Sequence, residues 1–219
     1  MKNKKHTSTV SRADKISPFY VMELLEKAKE LERKGKHIIH MEVGEPDFGT
    51  PSAINESAID AIRNNKTFYT HSLGIQELRE TIAQQYYKID GVHISNERVI
   101  ITNGTSGAFL LLCAVLLDNR RVLAVSDPGY PCYKNFALIV CSKIVPIPVD
   151  EKSSFEVTVE HFDVLKRPPD ILLISTPANP TGNIYREETM KGLHSYISSK
   201  GKVLIVDELY NGLYYKERP

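Results

Sequence analysis

The sequence has almost no net charge, few cysteines and no long apolar run, and each absence excludes a class of protein. Its 28 lysines and arginines nearly balance its 27 aspartates and glutamates, so the formal net charge is +1 and no nucleic-acid-binding surface is expected. The longest apolar run, residues 108–117, is too short to cross a bilayer. The three cysteines are odd in number and form no C-x-x-C pair, which predicts free thiols in a reducing, cytoplasmic compartment.

Other signatures are missing as well. The seven histidines show neither H-x-H nor H-x-x-x-H spacing, so no metal site is predicted. The G-x-S-x-G motif of hydrolases is absent, and the aromatic residues are too scattered for a nucleic-acid stacking platform. A basic stretch at residues 2–6 is followed by the polar residues 7–15, so we expect a solvated terminus and no secretory or membrane signal.

The hydrophobic pattern changes along the chain. Helices are predicted first, with one short strand among them, and after about residue 99 short apolar strands alternate with helices. The predicted helices cover residues 18–34, 51–64, 74–88, 106–117, 136–140, 159–165 and 187–199. The predicted strands cover residues 38–43, 99–101, 122–125, 144–147, 171–175 and 203–206. This alternation is typical of an α/β protein with three layers, in which helices cover a mostly parallel sheet.

Two turns that follow predicted strands carry residue types with a possible role in ligand binding, and each also has a purely structural interpretation. The segment N-G-T-S-G-A at 103–108 combines a glycine turn with a helix start, whose free N–H groups suit a phosphate. An ordinary cap between strand and helix explains the same residues. Tyr130, in D-P-G-Y-P, is held by flanking prolines and offers a flat face to a planar ring. A tyrosine that covers the sheet edge is the alternative.

Two further segments lie at the ends of later strands. The segment A-N-P-T-G at 178–182 follows one strand, and its alternative interpretation is an ordinary loop. Asp207 closes the apolar run 203–206, at the end of the sheet where open α/β proteins bind ligands. Burying a carboxylate is costly unless it is paired, so Asp207 suits a buried cation, with a helix cap as the alternative.

In this order, the segments resemble the class I/II pyridoxal-phosphate aminotransferases of fold type I, the group that includes aspartate aminotransferase. The resemblance runs from about residue 16 to residue 214. It implies that residues 1–45 form an N-terminal arm and a small-domain segment, and that residues 46–219 form part of the large cofactor-binding domain. It also implies pyridoxal 5′-phosphate as cofactor, amino acids and 2-oxo acids as substrates, and a homodimer in the complete enzyme.

The resemblance assigns cofactor contacts to the motifs. Thr105 and Ser106 match the residues that hold the cofactor phosphate, and Tyr130 matches the aromatic residue that stacks on the pyridine ring. Asn179 matches the residue that donates to the phenolic oxygen and also lies at the substrate. Asp207 matches the carboxylate that keeps the ring nitrogen protonated, so that the ring acts as an electron sink.

Three more positions take their roles from the same resemblance. Tyr210 matches the tyrosine that donates to the phenolic oxygen. Gly44 matches the glycine whose backbone meets the substrate carboxylate. Tyr69 matches the tyrosine that reaches the cofactor phosphate of the partner subunit. Tyr133 is expected near Tyr130 but has no assigned role.

The family's catalytic lysine lies in a Ser-x-x-Lys stretch well past the matched aspartate. Lys216 is the only lysine after Asp207, and it follows the aspartate too closely to be that residue. We therefore expect residues 1–219 alone to lack transaminase activity. The open alternatives are an inactive fragment, one half of a split protein, or a pyridoxal-phosphate lyase on the same fold. A downstream Ser-x-x-Lys and arginine would favour the aminotransferase.

Overall fold

The computed structural model describes residues 13–45, 48–140, 142–165, 168–213 and 215. The chain divides into two compact units. One unit is Tyr20–Gly104, and the other consists of Thr105–Pro219 together with the residues up to Phe19. The domain boundary expected between residues 45 and 46 stays a prediction.

The unit Tyr20–Gly104 is helical. Its helices are α1 (Tyr20–Arg33), α2 (Ser52–Arg63) and α3 (Gln76–Asp90), and a short 3-10 helix follows at Asn96–Arg98. Each long helix lies within two residues of its predicted bounds, because apolar residues recur on one face of each.

Two predicted strands in this unit are wrong. Residues 38–43 and 99–101 are described, and neither segment pairs with a strand. The Ile101 N–H instead donates to the Leu73 carbonyl oxygen at 3.0 Å. The Arg79 guanidinium donates to the Val99 carbonyl oxygen at 3.0 Å. Short apolar runs do not by themselves distinguish a strand from a packed loop.

The second unit contains a parallel sheet of four strands. The strands are β1 (Val122–Asp127), β2 (Lys143–Pro148), β3 (Ile171–Ser175) and β4 (Val203–Asp207), and their order in the sheet is β2-β1-β3-β4. All three pairings among the described strands are parallel, and Ser175 lies opposite Asp207 in the register of β3 with β4. The predicted parallel sheet is confirmed.

Helices cover both faces of this sheet. Alternate strand residues point to opposite faces, so Leu123 and Leu173 pack against α4 (Gly104–Leu116) and α5 (Cys132–Ile139). Ala124 and Leu172 pack on the other face, against α6 (Glu187–Ser199) and the 3-10 helix Val159–Phe162. The three-layer α/β/α fold is confirmed. The largest differences from prediction concern two helices: α5 begins at Cys132 instead of residue 136, and the helix predicted at 159–165 is the 3-10 helix Val159–Phe162.

The order of the strands reverses at β1. From β1 the chain passes to β2 on one side, and β3 then lies on the other side of β1. Ligands in open α/β sheets bind at the carboxyl ends of the strands where the order reverses in this way. The turns after β1 and β3 and the last residue of β4 all lie at that end. Among the described helices, none is both long and apolar enough to cross a membrane.

Candidate functional site

Asp207 places a carboxylate inside the protein at the end of β4. It is 8% exposed. The Tyr133 hydroxyl donates to its Oδ2 at 2.6 Å, and the Leu209 N–H donates to its Oδ1 at 3.0 Å. Within the described part of the chain, no lysine, arginine or histidine forms an ion pair with it. A buried carboxylate held by neutral donors suits a cationic ligand, because the cation offsets the cost of burying the charge.

Tyr133 is the side chain that fixes this carboxylate. It lies in the first turn of α5 and is 3% exposed. Burial raises the pKa of Tyr133, and its hydrogen bond with Asp207 raises that pKa further. The phenol therefore stays protonated and acts as the donor. The ring packs edge-on against Phe109 and Tyr130, with centroid distances of 5.1 and 5.2 Å.

Tyr130 lies beside this pair, in the turn that follows β1. Burial raises the pKa of Tyr130, and electrostatic interactions with Tyr210 and Asp207 act in the same direction. The structure therefore brings three of the predicted residues together, namely Tyr130, Asp207 and Tyr210.

The turn that carries Tyr130 depends on Gly129, because a Cβ at that position would lie 2.5 Å from the Ser126 carbonyl oxygen. A glycine thus lets the chain turn tightly enough to present Tyr130.

Asn179 lies half-buried in the turn that follows β3. The turn is closed by two backbone bonds, from the Gly182 N–H to the Ala178 oxygen at 2.8 Å and from the Ala178 N–H to the Asn183 oxygen at 2.9 Å. Its first part is tied to β4, since the Thr176 N–H donates to the Asp207 carbonyl oxygen at 2.9 Å. Asn179 is thus held at the same end of the sheet as Asp207.

Thr105 and Ser106 lie in the first turn of α4. This helix begins at Gly104, whose φ of +68° favours glycine. Phe109, one turn later, packs on Tyr133, so this part of the helix lies beside the residue that contacts Asp207, whereas Ser106 itself is exposed. The first N–H groups of a helix lack partners within it, and together with the positive end of the helix dipole they suit an anion.

Comparison with known proteins identifies the family. The model of the family described as "Aminotransferase class I and II" matches residues 36–219. The chain belongs to this family. The fold type expected from the sequence is also confirmed, because solved aminotransferases share the fold along nearly the whole chain.

Several aminotransferases are similar to this chain. The valine–pyruvate aminotransferase of Mycobacterium tuberculosis is 32% identical over 213 residues, which are 97% of this chain and 55% of the relative. The (5-formylfuran-3-yl)methyl phosphate transaminase of Methanocaldococcus jannaschii is 38% identical over 203 residues, 90% of this chain and 50% of the relative. The chain spans about half the length of the curated relatives it matches.

Solved structures agree with this assignment. A crystal structure of an aminotransferase from Mycobacterium tuberculosis has a TM-score of 0.92 and 33% identity, and the match covers 96% of this chain and 54% of that structure. The aspartate aminotransferase from Thermus thermophilus with maleate has a TM-score of 0.90 and 28% identity, with 96% and 55% covered.

Two of the residues assigned from the aminotransferase pattern lie in the unit Tyr20–Gly104. Gly44 is exposed, and a Cβ there would meet no atom within 4 Å among the described residues. Tyr69 is fully exposed. Their roles towards the substrate carboxylate and the partner subunit stay predictions. Lys216 lies outside the described residues.

One residue of the candidate site was given no role by the sequence. Tyr133 was expected only as a neighbour of Tyr130, yet its hydroxyl contacts the buried carboxylate. The available signal was the spacing of three residues from Tyr130, which places both side chains on the same side where a helix begins.

Proposed function

We propose that the protein containing this chain is a pyridoxal-phosphate aminotransferase, which moves an amino group between an amino acid and a 2-oxo acid. The observation that carries the proposal is the carboxylate of Asp207, buried at the carboxyl end of β4 and held by two neutral donors. Membership of the class I and II aminotransferases supports it. We further propose that the complete enzyme is a cytoplasmic homodimer, as in the family pattern.

The chemistry of the side chains fits this cofactor. The carboxylate of Asp207 suits a protonated ring nitrogen, and the flat face of Tyr130 suits the ring. Asn179 and Tyr210 offer donors for a phenolic oxygen. The start of α4, with the hydroxyl groups of Thr105 and Ser106, suits a phosphate. When bound, pyridoxal phosphate supplies the aldehyde that takes up the amino group and the ring that stabilises negative charge at the substrate Cα.

Each residue has a definable task in this proposal. Asp207 holds a proton at the ring nitrogen, because the buried carboxylate favours the cationic form of its partner. Donation from Asn179 and Tyr210 keeps the phenolic oxygen as its anion. Tyr130 covers one face of the ring and excludes water from it. Gly44 contributes its backbone to the binding of the substrate carboxylate.

Transfer of the proton at the substrate Cα needs a base. In the family this base is a lysine in a Ser-x-x-Lys stretch well past the position of Asp207. We propose that residues 1–219 alone therefore lack transaminase activity, since Lys216 follows Asp207 too closely to take that place.

The test is an assay of the protein that contains this chain, with pyridoxal phosphate, single amino acids and 2-oxoglutarate. We expect formation of glutamate together with the 2-oxo acid of the donor. Release of ammonia or carbon dioxide without glutamate would contradict the proposal and favour a lyase.

The matched sample is a polypeptide of residues 1–219. We expect its transamination rate to equal that of free pyridoxal phosphate without protein. Turnover above that rate, lost on Lys216→Ala, would contradict the proposal that this segment is inactive by itself.

A further inference from the structure

We propose that Tyr133 is a positioning residue for Asp207, which orients the carboxylate through a neutral donor so that the site selects a protonated heteroaromatic ring. The proposal rests on the proposed function, because the ring nitrogen of pyridoxal phosphate is the cation that Asp207 would meet. It assigns a task to a residue for which the sequence motifs supplied none.

Two donors from different elements fix the plane of the carboxylate. The Tyr133 hydroxyl, on α5, donates to Oδ2 at 2.6 Å. The Leu209 N–H, in the turn after β4, donates to Oδ1 at 3.0 Å. A carboxylate has about four lone-pair sites. With one donor on each oxygen, the group cannot rotate without losing a hydrogen bond, and it keeps acceptor capacity for a ligand.

Both donors to Asp207 are electrically neutral. A lysine or arginine at the position of Tyr133 would orient Asp207 but would also cancel its charge. A phenol orients the carboxylate and leaves the negative charge in place. The raised pKa of Tyr133, caused first by burial and then by Asp207, keeps the proton on the phenol, although a hydrogen bond with Ser175 acts in the opposite direction.

Tyr133 is itself held firmly enough to orient another group. Its ring lies between Phe109 and Tyr130 in edge-on contacts, with interplanar angles of 70° and 75°. Its backbone N–H donates to the Tyr130 carbonyl oxygen at 3.3 Å. One side chain thus contacts both the tyrosine proposed to stack on the ring and the aspartate proposed to meet its nitrogen.

If Tyr133 only stabilised the fold, replacing it would not change how strongly the site prefers a ligand that has a ring nitrogen. The test therefore compares two ligands in the complete protein: pyridoxine 5′-phosphate, and its 1-deaza counterpart, in which C–H replaces the ring nitrogen. Neither carries an aldehyde, so both bind reversibly. The readout is the ratio of their dissociation constants, measured by calorimetry in the wild type and in Tyr133→Phe.

We expect the wild type to prefer the ligand with the ring nitrogen. Tyr133→Phe should reduce that preference on the order of tenfold, the usual effect of one hydrogen bond to a charged group. In an Asp207→Asn background the preference should already be lost, and Tyr133→Phe should change nothing further.

The matched control is Tyr185→Phe. Tyr185 is also buried, but its hydroxyl accepts from the Val157 N–H at 2.9 Å in the cluster on the other face of the sheet. This variant should lose stability and keep the wild-type preference.

The outcomes separate the two proposals. If the wild type prefers the ring nitrogen and Tyr133→Phe keeps the whole preference, the positioning role is wrong and the proposed function stands. If the wild type shows no preference, Asp207 does not meet the ring nitrogen, and the site as proposed fails together with the role of Tyr133.

Discussion

Glu156 anchors the start of α6, and replacing it with glutamine should loosen the segment that carries Asn179. Glu156 is 1% exposed, and its carboxylate accepts from the Arg186 N–H at 2.7 Å and from the Thr189 hydroxyl at 2.7 Å. The Arg186 guanidinium adds bonds of 3.1 and 2.9 Å. Arg186 closes the loop that begins after β3, so this network fixes one end of the loop.

The expected cost follows from these contacts. The guanidinium of Arg186 is mostly exposed, so its ion pair with Glu156 is screened by water and contributes little. The change in stability is therefore decided by the contacts from the Arg186 backbone N–H and the Thr189 hydroxyl. A glutamine keeps one acceptor oxygen and loses the charge, so Glu156→Gln should lower the free energy of unfolding by about 2 kcal/mol, the usual effect of losing a hydrogen bond to a charged group.

The effect should depend on pH with a defined sign. Burial works against the charged form of Glu156, but the hydrogen bonds from Arg186 and Thr189 outweigh it and hold the pKa below its ordinary value of 4.5. A group with a depressed pKa in the folded state stabilises the protein above its unfolded pKa. The difference between wild type and Glu156→Gln should therefore be complete above pH 4.5 and shrink as the pH falls through the lowered pKa.

Urea unfolding of the complete protein at neutral and acidic pH measures both effects. The matched control is Glu160→Gln, an exposed glutamate four residues away that should change stability much less. Equal unfolding free energies for wild type and Glu156→Gln, or a difference that persists unchanged in acid, would refute the reasoning.

Two further predictions concern the turn after β1 and the loop before Gly44. Gly129→Ala should weaken cofactor binding, because the new Cβ would lie 2.5 Å from the Ser126 carbonyl oxygen. The control is Gly192→Ala, whose Cβ would have its nearest contact at 3.7 Å and which should bind the cofactor like the wild type. Equal dissociation constants for the two variants would contradict this prediction. Oε1 of Glu42 lies 2.6 Å from Nδ1 of His40, and this hydrogen bond raises the pKa of His40 above 6.5. An NMR titration of the imidazole should therefore show a raised pKa, and Glu42→Gln should lower it. The stabilisation from this pair should be complete between pH 4.5 and pH 6.5. It should disappear as the pH rises through the raised pKa of His40, and also as the pH falls through the lowered pKa of Glu42. A titration unaffected by Glu42→Gln would count against the pairing.

The sequence predicted the sheet well because its strands are apolar and end in polar turns. The strand at 171–175 is found with the predicted bounds, and all five of its residues are buried. The predicted strands at 38–43 and 99–101 fail because pairing needs a neighbouring strand, which local hydrophobicity does not specify. In the same way, the 3-10 helix Val159–Phe162 is shorter than its apolar pattern suggested.

The sequence predicted those parts of the candidate site in which a single residue is enough to indicate the chemistry. Asp207 was expected to be buried at the end of its strand, and it is. The contact between Tyr133 and Asp207 was not predictable, since the residues lie 74 positions apart and the contact depends on where α5 begins. Starting the helix at residue 136 left Tyr133 in a turn, whereas the start at Cys132 directs it to the carboxylate.

We propose above that the buried carboxylate of Asp207 pairs with the ring nitrogen of pyridoxal phosphate. The most direct measurement is the 15N chemical shift of the labelled ring nitrogen in the complete protein, at a pH where the free cofactor has lost that proton. We expect a protonated nitrogen in the wild type and an unprotonated nitrogen in Asp207→Ala. The control is Glu208→Gln, which changes the adjacent exposed carboxylate and should leave the nitrogen protonated. An unprotonated nitrogen in the wild type, or the same shift in wild type and Asp207→Ala, would contradict it.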